Sequence, residues 1–235
     1  AKGIPSTAAI TPIQFCEKYC QYVDEGYTDV IHVPINRSGS STYNNAVMAQ
    51  GMLREERPEH HLNIHLLDPH TYSMVFGWYL CEMARKLQNG AELRHVISEF
   101  ETQMNKMEVI LGPYSLKQMK KSGRISAAAA VMGELMGIRP IITLIDGKTR
   151  VESKVRGDDK VIPAMIDLCK KRTEGVEDFD YMIGHTSIPQ AAELEKACRK
   201  AFGKAPLTTF NLGGVVSANT GPDTLALVYV GKARD

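Results

Sequence analysis

The sequence predicts an α/β protein of two lobes. An N-terminal parallel sheet with helices on both faces is expected over residues 1–107, and a C-terminal mixed-sheet α+β lobe over residues 108–235, with a ligand between them. Three observations predict this. Helix and strand patterns alternate from Thr11 to about residue 107, the order that yields a parallel sheet covered by helices. Beyond Val109, hairpin signals such as Asp146-Gly147 mix with helical segments. Small, hydroxyl- and glycine-bearing loops occur in both halves, and a cleft between lobes is a common seat for ligands.

Element by element, Thr11-Pro12 reads as a helix N-cap followed by proline in the first turn. Ile13, Cys16, Tyr19, Cys20 and Val23 mark one face of a helix ending near Gly26. The apolar run Val30 to Ile35 fits a buried strand, and a helix follows from Tyr43 to about Glu55. Leu62 to Leu67 is a second strand. Tyr72 to Leu87 and Ala91 to Met107 are helices broken at Asn89-Gly90. The pattern changes between residues 105 and 110. Val109 to Leu111 is then a short strand and Leu116 to Lys121 a short helix. Ala127 to Met136 is a helix, and Arg139 to Leu144 and Lys148 to Val155 are strands joined by the Asp146-Gly147 turn. Helices over Lys160 to Arg172 and Gln190 to Phe202 flank a strand at Tyr181 to Gly184. Leu207 to Leu212, Gly214 to Val216 and Thr224 to Val230 close the chain as strands.

The 235 residues are 43% hydrophobic and 23% charged, an ordinary globular composition. A net charge of +1 argues against a partner built on a nucleic-acid backbone. No segment is long and apolar enough to predict an integral membrane span, and Ala1 to Ala9 lacks the basic start and apolar core of a signal peptide. The 5 cysteines argue against a complete disulfide framework and favour a reducing cytoplasm. Cys16 and Cys20 lie one helical turn apart, but no matching Cys/His pair follows, so core packing is the better reading. His60, His61, His65 and His70 invite a metal reading. The alternating Leu62, Ile64, Leu66 and Leu67 make a strand with one wet face the better one.

The stretch Asp29 to Tyr43 carries the strongest chemistry. An apolar strand breaks into Ser38-Gly39-Ser40-Ser41-Thr42, and a helix then opens. A helix N-terminus offers unpaired N–H groups and a positive dipole end, and the hydroxyls add donors, which together make a seat for an anion, phosphate or carboxylate. Ser122 to Ser126, Ser217 to Pro222 and Pro5 to Ala9 are loops of the same style. Arg124 and Arg156 each read in two ways: as a solvated cation, or as a charge facing the cleft or a partner. Ala127 to Ala130 likewise reads as close packing or as room for a slender apolar ligand. Gly39-Ser40-Ser41 lacks the Gly-x-Ser-x-Gly pattern of a nucleophile elbow, and no Walker loop or Gly-x-Gly-x-x-Gly opens a helix. A small hydrolase or phosphate-handling enzyme using loop 38–42, and a partner-binding scaffold, stand as the competing readings.

Five segments together resemble the DegV family, the fatty-acid-binding subunits of bacterial fatty acid kinase. They are Pro5-Ser6-Thr7; Ile35 to Ala49 with Ser40-Ser41-Thr42-Tyr43; Asp68 to Gly77; Ser122 to Gly157 with Gly-Arg-Ile-Ser, Ile-Arg-Pro-Ile, Asp-Gly-Lys and Lys-Val-Arg-Gly; and Asn219-Thr220-Gly221-Pro222. The resemblance covers essentially the whole chain. It implies a non-catalytic carrier that buries a long-chain fatty acid and needs no other cofactor or metal. It implies a carboxylate held by Thr7 and Ser40 with help from Ser41, Asn219 and Thr220. It also implies a separate ATP-binding kinase subunit that converts the presented carboxylate to an acyl phosphate. Three features depart from the family pattern. Its opening strand with an Asp-Ser-Thr motif has no counterpart, so several dozen family residues precede the matching region. Thr7-Ala8-Ala9 replaces Thr-Ser-Gln, and Asn219 stands where the family often has histidine. Asparagine hydrogen-bonds a carboxylate but adds no charge.

Overall fold

The computed structural model describes residues 5–126 and 137–233. The helix expected over Ala127 to Met136 lies outside the described residues. The chain forms two compact units, one of Ala8–Tyr72 and one of Ser73–Asp235 together with the short segment that includes Thr7.

The Ala8–Tyr72 unit runs α1 (Pro12–Asp24), β1 (Asp29–His32), α2 (Thr42–Glu56) and β2 (Asn63–Leu66). Thr11 caps α1 as its sequence predicts: the Gln14 amide donates to the Thr11 hydroxyl, and the Thr11 amide donates to Oε1 of Gln14 at 3.0 Å, a reciprocal capping box. β1 and β2 pair in parallel with Val30 opposite Ile64. β1 stops at His32, short of the expected Ile35, because Pro34 has no N–H to continue a ladder. The core of this unit is Phe15, Cys16 and Tyr19 from α1 against Ala46, Ala49 and Leu53 from α2, with Leu62 leading into β2. Ala46 and Ala49 let the two helices approach closely.

The other unit holds α3 (Met74–Gln88), α4 (Leu93–Met104), β3 (Met107–Pro113), α5 (Lys117–Ser122), β4 (Ile138–Ile145) and β5 (Lys148–Arg156). It continues through α6 (Val161–Arg172), β6 (Tyr181–His185), α7 (Gln190–Phe202), β7 (Thr209–Asn211), α8 (Gly214–Thr220) and β8 (Thr224–Val230). Six strands form one sheet in the order β5-β4-β3-β8-β6-β7. The β6–β7 pair is parallel and all others antiparallel, so the sheet is mixed. Asp146 and Gly147, at φ 48° and 70°, make the primed turn that the Asp-Gly pair predicts. The core packs Val161, Met165 and Cys169 of α6 and Leu194 and Cys198 of α7 onto Ile110, Ile183, Leu225, Leu227 and Tyr229 of the sheet. At Gly112 a Cβ would lie 2.4 Å from Sδ of Met165, so glycine is what lets α6 rest on β3.

One sequence expectation is corrected. The compact units divide at Tyr72/Ser73. α3 and α4 belong with the six-stranded sheet: the Ser73 hydroxyl donates to the Leu212 carbonyl at 3.0 Å, and only Asn105 and Lys106 separate α4 from β3. The correction is Gly214 to Val216, read as a strand from its two valines. It opens helix α8, after Gly213 turns the chain at φ 82° and donates its amide to Oδ1 of Asn211 at 2.8 Å.

Candidate functional site

The serine-rich loop is built around a buried amide. Asn36 is 1% exposed and organises the turn from within. Its Oδ1 accepts from the Ser38 amide at 3.1 Å and the Ser38 hydroxyl at 2.9 Å. Its Nδ2 donates to the Tyr72 hydroxyl at 3.1 Å, and its own amide donates to the Thr71 carbonyl at 3.0 Å. The loop is therefore pinned to the segment Asp68 to Tyr72. Asp68 adds to this, accepting from the His70 amide at 2.9 Å and pairing with the Arg37 guanidinium at 3.4 Å. His70 and Ser73 adopt φ 54° and 59°, so this segment is held in conformations that side chains rarely take.

Ser40 and Ser41 then lead into α2. The Ser40 oxygen accepts the Thr42 amide at 3.2 Å and lies 2.8 Å from the Thr42 hydroxyl. Ser40 is half-buried, and Ser41 is the exposed N-cap residue, whose side chain makes no cap bond. The first turn of α2 carries no acidic side chain, so nothing built into the helix neutralises its positive end. Hydroxyls beside an uncompensated helix N-terminus suit an incoming carboxylate or phosphate. The Thr71 hydroxyl is buried and has no hydrogen-bond partner among the described residues. Leaving such a group unpaired costs about 1–3 kcal/mol, which a ligand oxygen would recover.

The other expected residues belong to the unit of the six-stranded sheet. Thr7 is exposed in the short segment assigned there. Asn219 and Thr220 end α8: Asn219 Nδ2 donates to the Val215 carbonyl at 2.8 Å, and Thr220 is 4% exposed, with its hydroxyl donating to the Gly221 carbonyl at 3.3 Å. One Asn219 N–H thus serves its own helix, and the amide group has a second to offer. α5 packs on α8, with Gln118 donating to the Ala218 carbonyl. Arg124 is exposed, and its guanidinium donates to the Ser122 carbonyl at 3.2 Å. Arg156 is exposed at the end of β5, opposite Ile138. The register puts the last residues of β3, β5 and β6 and the first of β8 at one end of the sheet. Arg156, Asn219 and Thr220 therefore lie toward one end of this unit, with the start of α3 anchored there through Ser73 and Leu212, whereas the loop of Arg124 runs to the start of β5, where the Ser126 and Thr149 hydroxyls lie 3.0 Å apart.

The histidines do not converge. His65 lies 2.8 Å from an Asp29 oxygen, the His60 ring accepts from the Leu62 amide, and His185 accepts from the Ser187 amide at 2.9 Å. No group of three metal-binding side chains among the described residues includes a histidine. A separate open cleft of about 480 Å³ lies between α3 and α4. Its lining mixes the charged Glu82, Lys86 and Glu99 with Tyr79, Met83, Val96 and Phe100. No helix among the described residues is long and apolar enough to cross a membrane.

Comparison with known proteins settles the family. A family model described as "Uncharacterised protein, DegV family" matches residues 1–232. The chain belongs to the DegV family. A DegV domain-containing protein of Clostridium perfringens is 29% identical over 232 residues, covering 97% of this chain and 78% of that one. A fatty acid binding DegV family protein from Streptococcus agalactiae has a solved structure that superposes with a TM-score of 0.83 at 25% identity, over 99% of this chain and 80% of that one. The structure of a stearic-acid-binding protein from Eubacterium ventriosum, at 21% identity, shares the fold with a TM-score of 0.87 over 99% of this chain and 80% of that one.

Sequence reasoning found the hydroxyls of the DegV loop but missed Asn36, Tyr72 and Thr71, which shape it. Asn36 and Tyr72 lie inside segments already singled out, and a lone amide directly after an apolar strand was the available signal.

Proposed function

We propose that this DegV protein is a carrier that buries a long-chain fatty acid and presents its carboxylate to a separate ATP-binding kinase subunit, which forms the acyl phosphate. The observation that carries the reading is the Ser38 to Thr42 loop at the N-terminus of α2, a hydroxyl-rich anion seat without an acidic neighbour in the helix's first turn. The fatty acid binding of the relative from Streptococcus agalactiae supports it. Ser40 holds one carboxylate oxygen through its hydroxyl and the amide near Ser41 adds a donor; Thr7, Asn219 and Thr220 are the further head-group candidates that the family resemblance implies. Thr71 is a further candidate donor. Arg124 and Arg156 are the cations that meet the kinase subunit. The protein works in the cytoplasm, where acyl chains and ATP meet.

The energetics divide the labour. Burying about fifteen CH₂ groups of a C16 chain contributes on the order of 12 kcal/mol before costs. Each carboxylate hydrogen bond adds about 1.5–3 kcal/mol. The tail sets affinity and the hydroxyls set where the carboxylate sits. Native mass spectrometry of the protein as purified is therefore expected to show one long-chain acid per chain. Ser40→Ala is expected to retain the acid while losing most acyl-phosphate formation when a fatty acid kinase and ATP are added. A protein that carries no acid and takes none up from solution refutes the carrier reading. A Ser40→Ala protein phosphorylated at the wild-type rate refutes the role given to Ser40.

A further inference from the structure

The chain brings together three metal-binding side chains that spacing alone leaves incomplete. Cys16 and Cys20 lie one turn apart on α1, and Glu56 is the last residue of α2. The Cys20 sulfur lies 3.6 Å from Oε2 of Glu56, and the three ligand atoms all lie within 4.8 Å of one another. A tetrahedral zinc ion with bonds of about 2.3 Å to sulfur and about 2.0–2.2 Å to oxygen sets its ligand atoms roughly 3.5–3.8 Å apart. Small side-chain rotations close that gap.

We propose that Cys16, Cys20 and Glu56 bind a thiophilic divalent cation of the zinc or cadmium class, with water in the fourth position. The position of Glu56 supports this. A carboxylate at a helix C-terminus faces the negative end of the dipole, which disfavours it unless a cation is near. On binding, each S–H bond breaks, its electron pair goes to the metal, and its proton leaves to solvent. Two thiolates and a carboxylate around a divalent ion leave one excess negative charge, and Arg57, next to Glu56 in the chain and paired with Asp24 at 3.8 Å, offers a cation there. Cys16 is buried, Cys20 is half-buried and Glu56 is exposed, so the carboxylate side gives the ion its entry. The ion staples α1 to the C-terminal end of α2. That end lies about 20 Å along the helix from Ser41, so the site is separate from the hydroxyl loop and does not depend on the lipid reading.

The reduced, chelator-stripped chain titrated with Cd²⁺ tests the proposal through the thiolate-to-cadmium charge-transfer absorption. Competition with a chromophoric chelator gives the Zn²⁺ affinity. One equivalent is expected to bind. Cys20→Ser is expected to abolish the band, Glu56→Gln to weaken binding at least tenfold, and Cys81→Ser, at the exposed thiol, to change neither. No saturable band in the unsubstituted protein, loss of the band in Cys81→Ser, or unchanged titrations in Cys20→Ser and Glu56→Gln overturns the assignment. X-ray absorption of the zinc-loaded unsubstituted protein needs no variant to fold. Two sulfur ligands support the site, and any other sulfur count overturns it.

Discussion

Gly39→Ala tests whether the serine-rich loop is shaped by Tyr72. A Cβ on Gly39 would lie 1.8 Å from the Tyr72 hydroxyl oxygen, 2.9 Å from Cζ and 3.3 Å from Cε1. The phenol has to retreat by about 1.5 Å to reach ordinary contact. It is a rigid ring with two side-chain torsions, and its hydroxyl is held by Asn36 Nδ2 at 3.1 Å. Losing that hydrogen bond costs about 0.5–1.5 kcal/mol, and forcing the ring aside costs about 1–3 kcal/mol. The expected loss is about 2–4 kcal/mol, or roughly 4–16 °C in melting temperature for a chain of this size. Urea unfolding followed by circular dichroism measures it. In a Tyr72→Phe background the atom at 1.8 Å is gone but the ring carbon at 2.9 Å remains, so Gly39→Ala is expected to cost about half as much there. A cost below about 0.5 kcal/mol, or an equal cost in both backgrounds, refutes this account of the loop.

Two further outcomes follow from buried polar groups. Glu108 is 5% exposed and accepts from Arg172 through both carboxylate oxygens and from the Tyr229 hydroxyl at 2.6 Å. Burial and then Glu108 hold the Tyr229 phenol well above its ordinary range. Glu108→Gln strips the charge that faces Arg172 and is expected to cost about 3–5 kcal/mol, whereas Glu108→Leu with Arg172→Met costs less than Glu108→Gln alone. Urea midpoints of the three proteins decide it, and the reverse order refutes it. His32 is depressed by burial, and its Nδ1 lies 2.6 Å from the Tyr19 hydroxyl. The unfolded ring takes up a proton near its ordinary pKa of about 6.5 while the folded ring stays neutral. Its contribution to stability is thus complete above about pH 6.5 and is lost as pH falls below it toward the depressed folded value. The urea midpoint is expected to drop between pH 7.5 and 5.5, less so in His32→Gln. An equal drop in both proteins refutes the assignment to His32.

What the chain revealed in advance depended on how local each signal was. The capping box of Thr11 and Gln14, the Asp146-Gly147 turn and the order of helices and strands from α1 to β3 rest on neighbours within a few residues, and they are present as read. Where α3 and α4 belong depends on contacts such as Ser73 with Leu212, which are 139 residues apart, and no periodicity encodes those. Two valines after Gly213 read as strand, because β-branching is a local preference that tertiary packing overrides. The site divides in the same way. A run of serines before a helix is legible because the chemistry sits in the run itself. Asn36, Tyr72 and Thr71 are single residues whose roles arise only when the Asp68 to Tyr72 segment folds back on the loop. Cys16 and Cys20 are the sharpest case. Read alone they are half of a metal site and therefore best taken as packing. Glu56, 36 residues after Cys20, reaches them only because Ala46 and Ala49 let α2 lie close on α1. Two small residues chosen for packing thus place a third ligand that spacing rules have no means to count.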